Sequence, residues 1–209
     1  MPTMKAAKPV RDAGHDEMRG DSPMHGNQRT SLPGGALAAY AAAVLFIVSL
    51  ARFFFIPRLG LPASSPIVAE LNGGLLPVAA HLLLFPVIAA LPAPPWARAA
   101  GYGWLVIDIV TDVMALNGVA DTIYLPMRYG GHVSAALWIA VASWQASGML
   151  RIVGLLLALD LGGYSFIPHG PIAFLIPSGP LLPLWFALVG RHISRRRRPA
   201  GGQPEAFDQ

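Results

Sequence analysis

The chain of 209 residues has no cysteine, and its charged residues make up only 12% of the total. Without cysteine there is no disulfide, no thiolate metal site, no iron–sulfur cluster and no cysteine nucleophile. Lysine is nearly missing too: Lys5 and Lys8 both lie close to the N-terminus. No apolar segment therefore carries a lysine for a retinal Schiff base. A P-loop, a serine elbow and the H-x-x-x-H or H-E-x-x-H zinc patterns are likewise absent. Soluble domains carry about 25% charged residues, so the scarcity of charge argues against a soluble core.

What is present is apolar. Hydrophobic residues make up 54% of the chain, and the mean hydropathy is +0.52. They fall in blocks of roughly 17–22 residues, the length that crosses a hydrocarbon core as a helix. The blocks predict six spans, at 35–56, 74–93, 98–118, 131–149, 151–167 and 172–191. The expected fold class is all-α, a polytopic transmembrane helical bundle. An alternative with five spans makes part of 165–183 re-entrant, because its prolines break the backbone and broken backbone must be covered by protein or water. Prolines 77 and 86 in the second span, with Pro177, Pro180 and Pro183 in the sixth, predict kinks.

Residues 1–34 are polar, mixed in charge and without apolar periodicity, as expected of a disordered tail. Asp12, Asp16, Glu17 and Asp21 make this segment unlike a secretory leader, and Met18 or Met24 offers an alternative start. Residues 192–209 form a second, basic tail. With six spans, one side of the membrane holds Lys5, Lys8, Arg11, Arg19, Arg29, Arg98, Arg151, Arg191 and Arg195 to Arg198. The other side holds Arg52, Arg58 and Arg128. Twelve against three places both termini inside, in the cytoplasmic membrane. The net charge of +4 is concentrated at the ends, where "RHISRRRR" follows an apolar block. That placement fits contact with anionic lipid and not with nucleic acid.

The third span contains "WLVIDIVTDVMALNG", residues 104–118. Residues four apart share a helix face, so Asp108 and Asp112 point the same way, with Trp104 and Thr111 beside them. An aspartate at mid-membrane costs about 2.5–3.5 kcal/mol on the insertion scale, so this stripe must face the bundle interior. Two such carboxylates would not both be ionised without help, and one is expected to stay protonated near neutral pH. At 1.5 Å per residue, Asp108 falls near the midplane and Asp112 about 6 Å further out. The same reckoning puts His81, Asn117, His132 and Asp160 in the outer half. The expected site is an outward-facing polar pocket lined by Asp108, Asp112, Asp160, His81, Asn117, Trp104, Thr111 and His132.

The D-x-x-x-D spacing resembles one acidic motif of the membrane prenyltransferases, but the asparagine-bearing partner motif is missing. No cofactor and no metal is expected. The leading functional expectation is protonation-linked binding or transport of a small solute or protons, a cation or polar solute being held while the carboxylates are charged. An intramembrane enzyme acting on a lipid or isoprenoid substrate is the alternative. A third expectation is an accessory subunit, binding a partner membrane protein through its polar seam. The lipid bilayer is the common partner of all three.

Overall fold

The computed structural model describes residues 34–55, 75–167, 174 and 176–196. The expected N-terminal tail, the outer link 57–73 and the end of the basic tail lie outside the described residues. Among the described residues the secondary structure is helical. The elements are α1 (Gly35–Phe55), α2 (Leu75–Leu82), α3 (Leu84–Ala90), α4 (Pro95–Leu116), α5 (Asp121–Trp144), α6 (Met149–Ser165) and α7 (Ser178–Arg196). α2 and α3 are separated by Leu83 alone and form one rod, so the described residues make six rods, in the order of the six apolar blocks.

The interruption has a local cause. Pro86 has no N–H to offer the carbonyl of Leu82, and its ring crowds that carbonyl. The helix is interrupted at Leu83, two residues after His81. α4 begins with Pro95 at its first position, where a missing N–H costs nothing. It ends in a Schellman motif: Val119 N–H donates to Met114 O at 3.0 Å and Gly118 N–H to Ala115 O at 3.1 Å. Gly118 adopts φ +73°, which a glycine accepts without a Cβ penalty.

Two boundaries differ from the hydropathy reading. α5 starts at Asp121, ten residues before the expected 131, and stops at Trp144. Residues 121–130 lack a long apolar run, but Asp121 sits in the first turn, where a carboxylate favours a helix N-terminus. Pro126 lies early enough to forfeit only one backbone bond. α7 covers Ser178–Arg196 and so runs on through the first residues of the basic run. The segment considered re-entrant falls partly outside the described residues, and 178–183 are the first turns of α7.

Each rod packs on its neighbour in sequence, and α7 packs back on α1, so the bundle closes on itself. Small residues set the close approaches. Ala38, Ala39, Ala42 and Ala43 form the buried stripe of α1. A Cβ on Gly190 would come within 3.0 Å of the Tyr40 ring, so this glycine brings α7 against α1. At the turn between α5 and α6, Gly148 takes φ +61° and the Arg151 guanidinium lies 4.3 Å from the Trp144 ring centroid.

The outer faces are apolar. Leu37, Val44 and Ile47 of α1, Val106, Val110 and Val113 of α4, and Ile152, Leu156 and Leu159 of α6 are exposed. With Tyr40, also exposed, between Leu37 and Val44, their spacing of three or four residues makes continuous stripes. Among the described residues, α4 is the helix both long and apolar enough to cross a membrane; Gly35–Ala51 and Leu75–Ala90 are apolar but shorter.

Candidate functional site

The aspartates of α4 are buried, Asp108 at 4% and Asp112 at 7% relative exposure. His81, in the last turn of α2, stands between them. Its Nδ1 lies 3.1 Å from Asp112 Oδ2, and its Nε2 lies 3.2 Å from Asp108 Oδ2. Trp104, one turn before Asp108, donates from Nε1 to the same Asp108 Oδ2 at 2.6 Å. Thr111 donates from Oγ1 to the Asp108 carbonyl at 2.9 Å, as an in-helix threonine commonly does.

The cation of the site comes from α5. Arg128 donates from Nη2 to Asp112 Oδ1 and from Nε to Thr111 Oγ1, the latter at 3.1 Å. Its side chain is 26% exposed, whereas Asp112 is nearly covered, so Arg128 is the outermost member of the cluster. Arg128 precedes residue 131, the expected start of the fourth span. The additional helical turns of α5 lower it onto Asp112. The signal was charge: two buried carboxylates require a cation, and Arg52, Arg58 and Arg128 were the only basic residues assigned to that side.

Proton counting follows from these contacts. A neutral imidazole has one N–H, yet both ring nitrogens face carboxylate oxygens. Either His81 is an imidazolium donating twice, or one carboxyl carries a proton and donates to the ring. Arg128 is the charge partner of Asp112. Net neutrality of the four groups then needs one further proton, shared along Asp108–His81–Asp112. The expected protonated carboxyl is one placement of that proton, and an imidazolium at His81 is the other.

Two buried atoms beside this chain have no hydrogen-bond partner among the described residues: Asp108 Oδ1 and His132 Nδ1. Asp108 Oδ1 faces Gly131, where a Cβ would sit 3.1 Å away. His132 follows on α5 and interacts electrostatically with both Asp108 and His81. The carboxylates meet opposite edges of the imidazole, so no single cation can be held by all three. Among the described residues no group of three or more His, Asp or Glu is placed to hold a metal ion.

His81 is also where the polar cluster meets a circuit of rings. Phe46 and Trp104 each stand edge-on to it at 5.9 Å. The circuit continues from Trp104 to Trp138 at 6.0 Å, to Trp185 at 5.2 Å, to Phe186 at 5.1 Å, and returns to Phe46 at 5.6 Å. Trp185 is fixed by donating to Ser143 Oγ at 3.0 Å.

The remaining expected residues stand apart. Asp160 on α6 accepts a hydrogen bond from Ser178 Oγ at the start of α7, a partner that sequence reasoning missed. Asn117 is exposed at the end of α4, and its amide donates to Val113 O at 2.8 Å. The structure thus joins His81, Trp104, Asp108, Thr111 and Asp112, adds Arg128 and brings His132 alongside. No protein-family model, no curated protein and no solved structure matches the chain.

Proposed function

We propose that this is an integral membrane protein of six transmembrane rods, with both termini on the cytoplasmic side of the cytoplasmic membrane. Its Asp108–His81–Asp112–Arg128 cluster takes up and releases a proton in step with the binding or passage of a small solute. The observation that carries the reading is His81 held between two buried carboxylates, with a shared proton implied by the contacts.

The membrane reading is supported by an inverted surface. Valines, leucines and isoleucines are exposed in stripes while aspartates and a histidine are buried. In water such stripes would be a large exposed apolar patch. In lipid they are the required outer face, and ionisable groups turn inward. The Lys and Arg distribution supports the orientation.

The test is proton uptake by vesicles. The full chain is reconstituted into liposomes with a trapped pH dye, and an outside acid pulse is applied. The wild-type chain should acidify the interior faster than either Asp108→Asn or Asp112→Asn. Equal rates in all three, at equal protein incorporation, contradict a proton-exchanging role.

The aromatic circuit favours a second reading: an intramembrane enzyme on a lipid or isoprenoid substrate, with Asp108 as acid and His81 as base. Ring faces stabilise cationic intermediates, and His81 belongs to both systems. Comparing lipid extracts of cells with and without the gene separates the two, since transport alone leaves the lipid profile unchanged.

A further inference from the structure

Taken with the proton-linked reading above, on which it rests, the placement of Arg128 narrows the chemistry of the solute. Arg128 is the most exposed member of the cluster at 26%, while His81, Asp108 and Asp112 are each at 8% or less. A cation arriving from that edge meets a fixed guanidinium first. It could reach Asp112 only by expelling Arg128, which would leave that charge without a partner. An anion arriving from the same edge meets its natural counter-charge.

Drawing Arg128 away would leave the Asp112 carboxylate buried and uncompensated, a costly state. A proton removes that cost. His81 Nδ1 stands 3.1 Å from Asp112 Oδ2 and can pass a proton across that contact. The N–H bond at Nδ1 of the imidazolium breaks, an O–H bond forms on Asp112, and a proton entering from solution converts the neutral imidazole back to the imidazolium. One anion and one proton have then entered, and the net charge of the cluster is unchanged. The buried and unpartnered Oδ1 of Asp108 offers a second acceptor along the same route.

We propose that Arg128 is the binding residue for a small carboxylate-type oxyanion, which it takes in exchange for Asp112 together with one proton. The planar guanidinium fork matches a carboxylate through two parallel N–H bonds. The titratable or charged groups facing this exchange are His81 from α2, Asp108 and Asp112 from α4, and Arg128 and His132 from α5. Tyr129 stands next to Arg128 in the chain and pairs with Tyr164 of α6, hydroxyl to hydroxyl at 3.4 Å.

The experiment uses the full chain in lipid nanodiscs in weakly buffered solution with a pH indicator. Acetate and lactate are the probes, and choline is the cation control. The wild-type protein should take up one proton per bound anion, with no response to choline. Asp112→Asn, already neutral at that position, should bind the anions without proton uptake. Arg128→Gln should weaken anion binding roughly ten- to a hundredfold, the worth of a charge-assisted hydrogen bond. Arg128→Lys, which keeps the charge but not the fork, should fall in between and guards against misfolding of the glutamine variant. Proton movement driven by choline, or anion binding indifferent to Arg128, overturns the proposal. If the cluster exchanges protons with pH and neither anion binds, the oxyanion assignment alone falls. If no proton exchange occurs at all, the underlying reading falls with it.

Discussion

Nδ1 of His81 lies 3.1 Å from Oδ2 of Asp112, across the interface between α2 and the one described helix long and apolar enough to cross a membrane. The imidazole is wedged there, its opposite nitrogen on Asp108. Removing it leaves Asp108 buried without a cationic partner, while Asp112 keeps Arg128. His81→Ala should therefore destabilise the protein by roughly 3–5 kcal/mol, the cost of breaking a buried charged pair from one side. Thermal unfolding in mild detergent reads this as a lowered midpoint; an unchanged midpoint would mean the pairing carries no stability.

Arg128 and Asp112 should behave as one unit. Arg128→Gln leaves Asp112 uncompensated, and Asp112→Asn leaves Arg128 so. Each single change should cost several kcal/mol, on the scale of about 3–5 for a broken buried pair. The double variant should cost much less than the two summed, because interacting neighbours are not additive. Denaturation of the four proteins of this cycle checks it, and simple additivity would show that the two groups do not interact.

The approach of α6 depends on Gly154. A Cβ there would collide with Ser143 Oγ and crowd Trp185 Nε1, which are hydrogen-bonded to each other. Gly154→Ala should destabilise by about 1–3 kcal/mol, as overpacking does. Gly163, on the same helix with nothing within 4 Å of an added Cβ, is the control. Gly163→Ala should be neutral or slightly stabilising, by up to about 1 kcal/mol of helix propensity. Equal effects at both glycines would rule out the packing explanation.

The absence of cysteine makes topology directly measurable. Single cysteines at Val119, Pro94 and Thr3 can be probed with a membrane-impermeant maleimide on intact cells. Val119→Cys should label from outside, whereas Pro94→Cys and Thr3→Cys should label only after permeabilisation. Labelling of Thr3→Cys on intact cells would overturn the orientation with both termini inside.

Much of the helical arrangement is legible in the sequence, because apolar blocks bounded by proline, glycine and arginine mark helices by composition alone. The third block matches closely: hydropathy predicts 98–118, and α4 spans Pro95–Leu116 with Gly118 closing its end. The fourth does not, since hydropathy is blind to the polar helical turns of 121–130. That blindness hid Arg128. Of the candidate site, Trp104, Asp108, Thr111 and Asp112 were legible from four-residue spacing, and depth suggested His81 as their partner. Depth alone also suggested Asp160 and Asn117. Depth says nothing about which way a side chain turns around its helix, and these two turn to Ser178 and to the helix backbone.

The central claim is that Asp108, His81 and Asp112 share one exchangeable proton. Infrared difference spectroscopy on the full chain in nanodiscs, between mildly acidic and mildly alkaline buffer, measures this most directly. The shared proton predicts a pH-dependent signal, either a carboxylic-acid carbonyl band or imidazole ring bands of His81, that is lost or shifted in Asp108→Asn and Asp112→Asn and in His81→Gln. No pH-dependent band of either kind, or one that survives unaltered in all three variants, would contradict it.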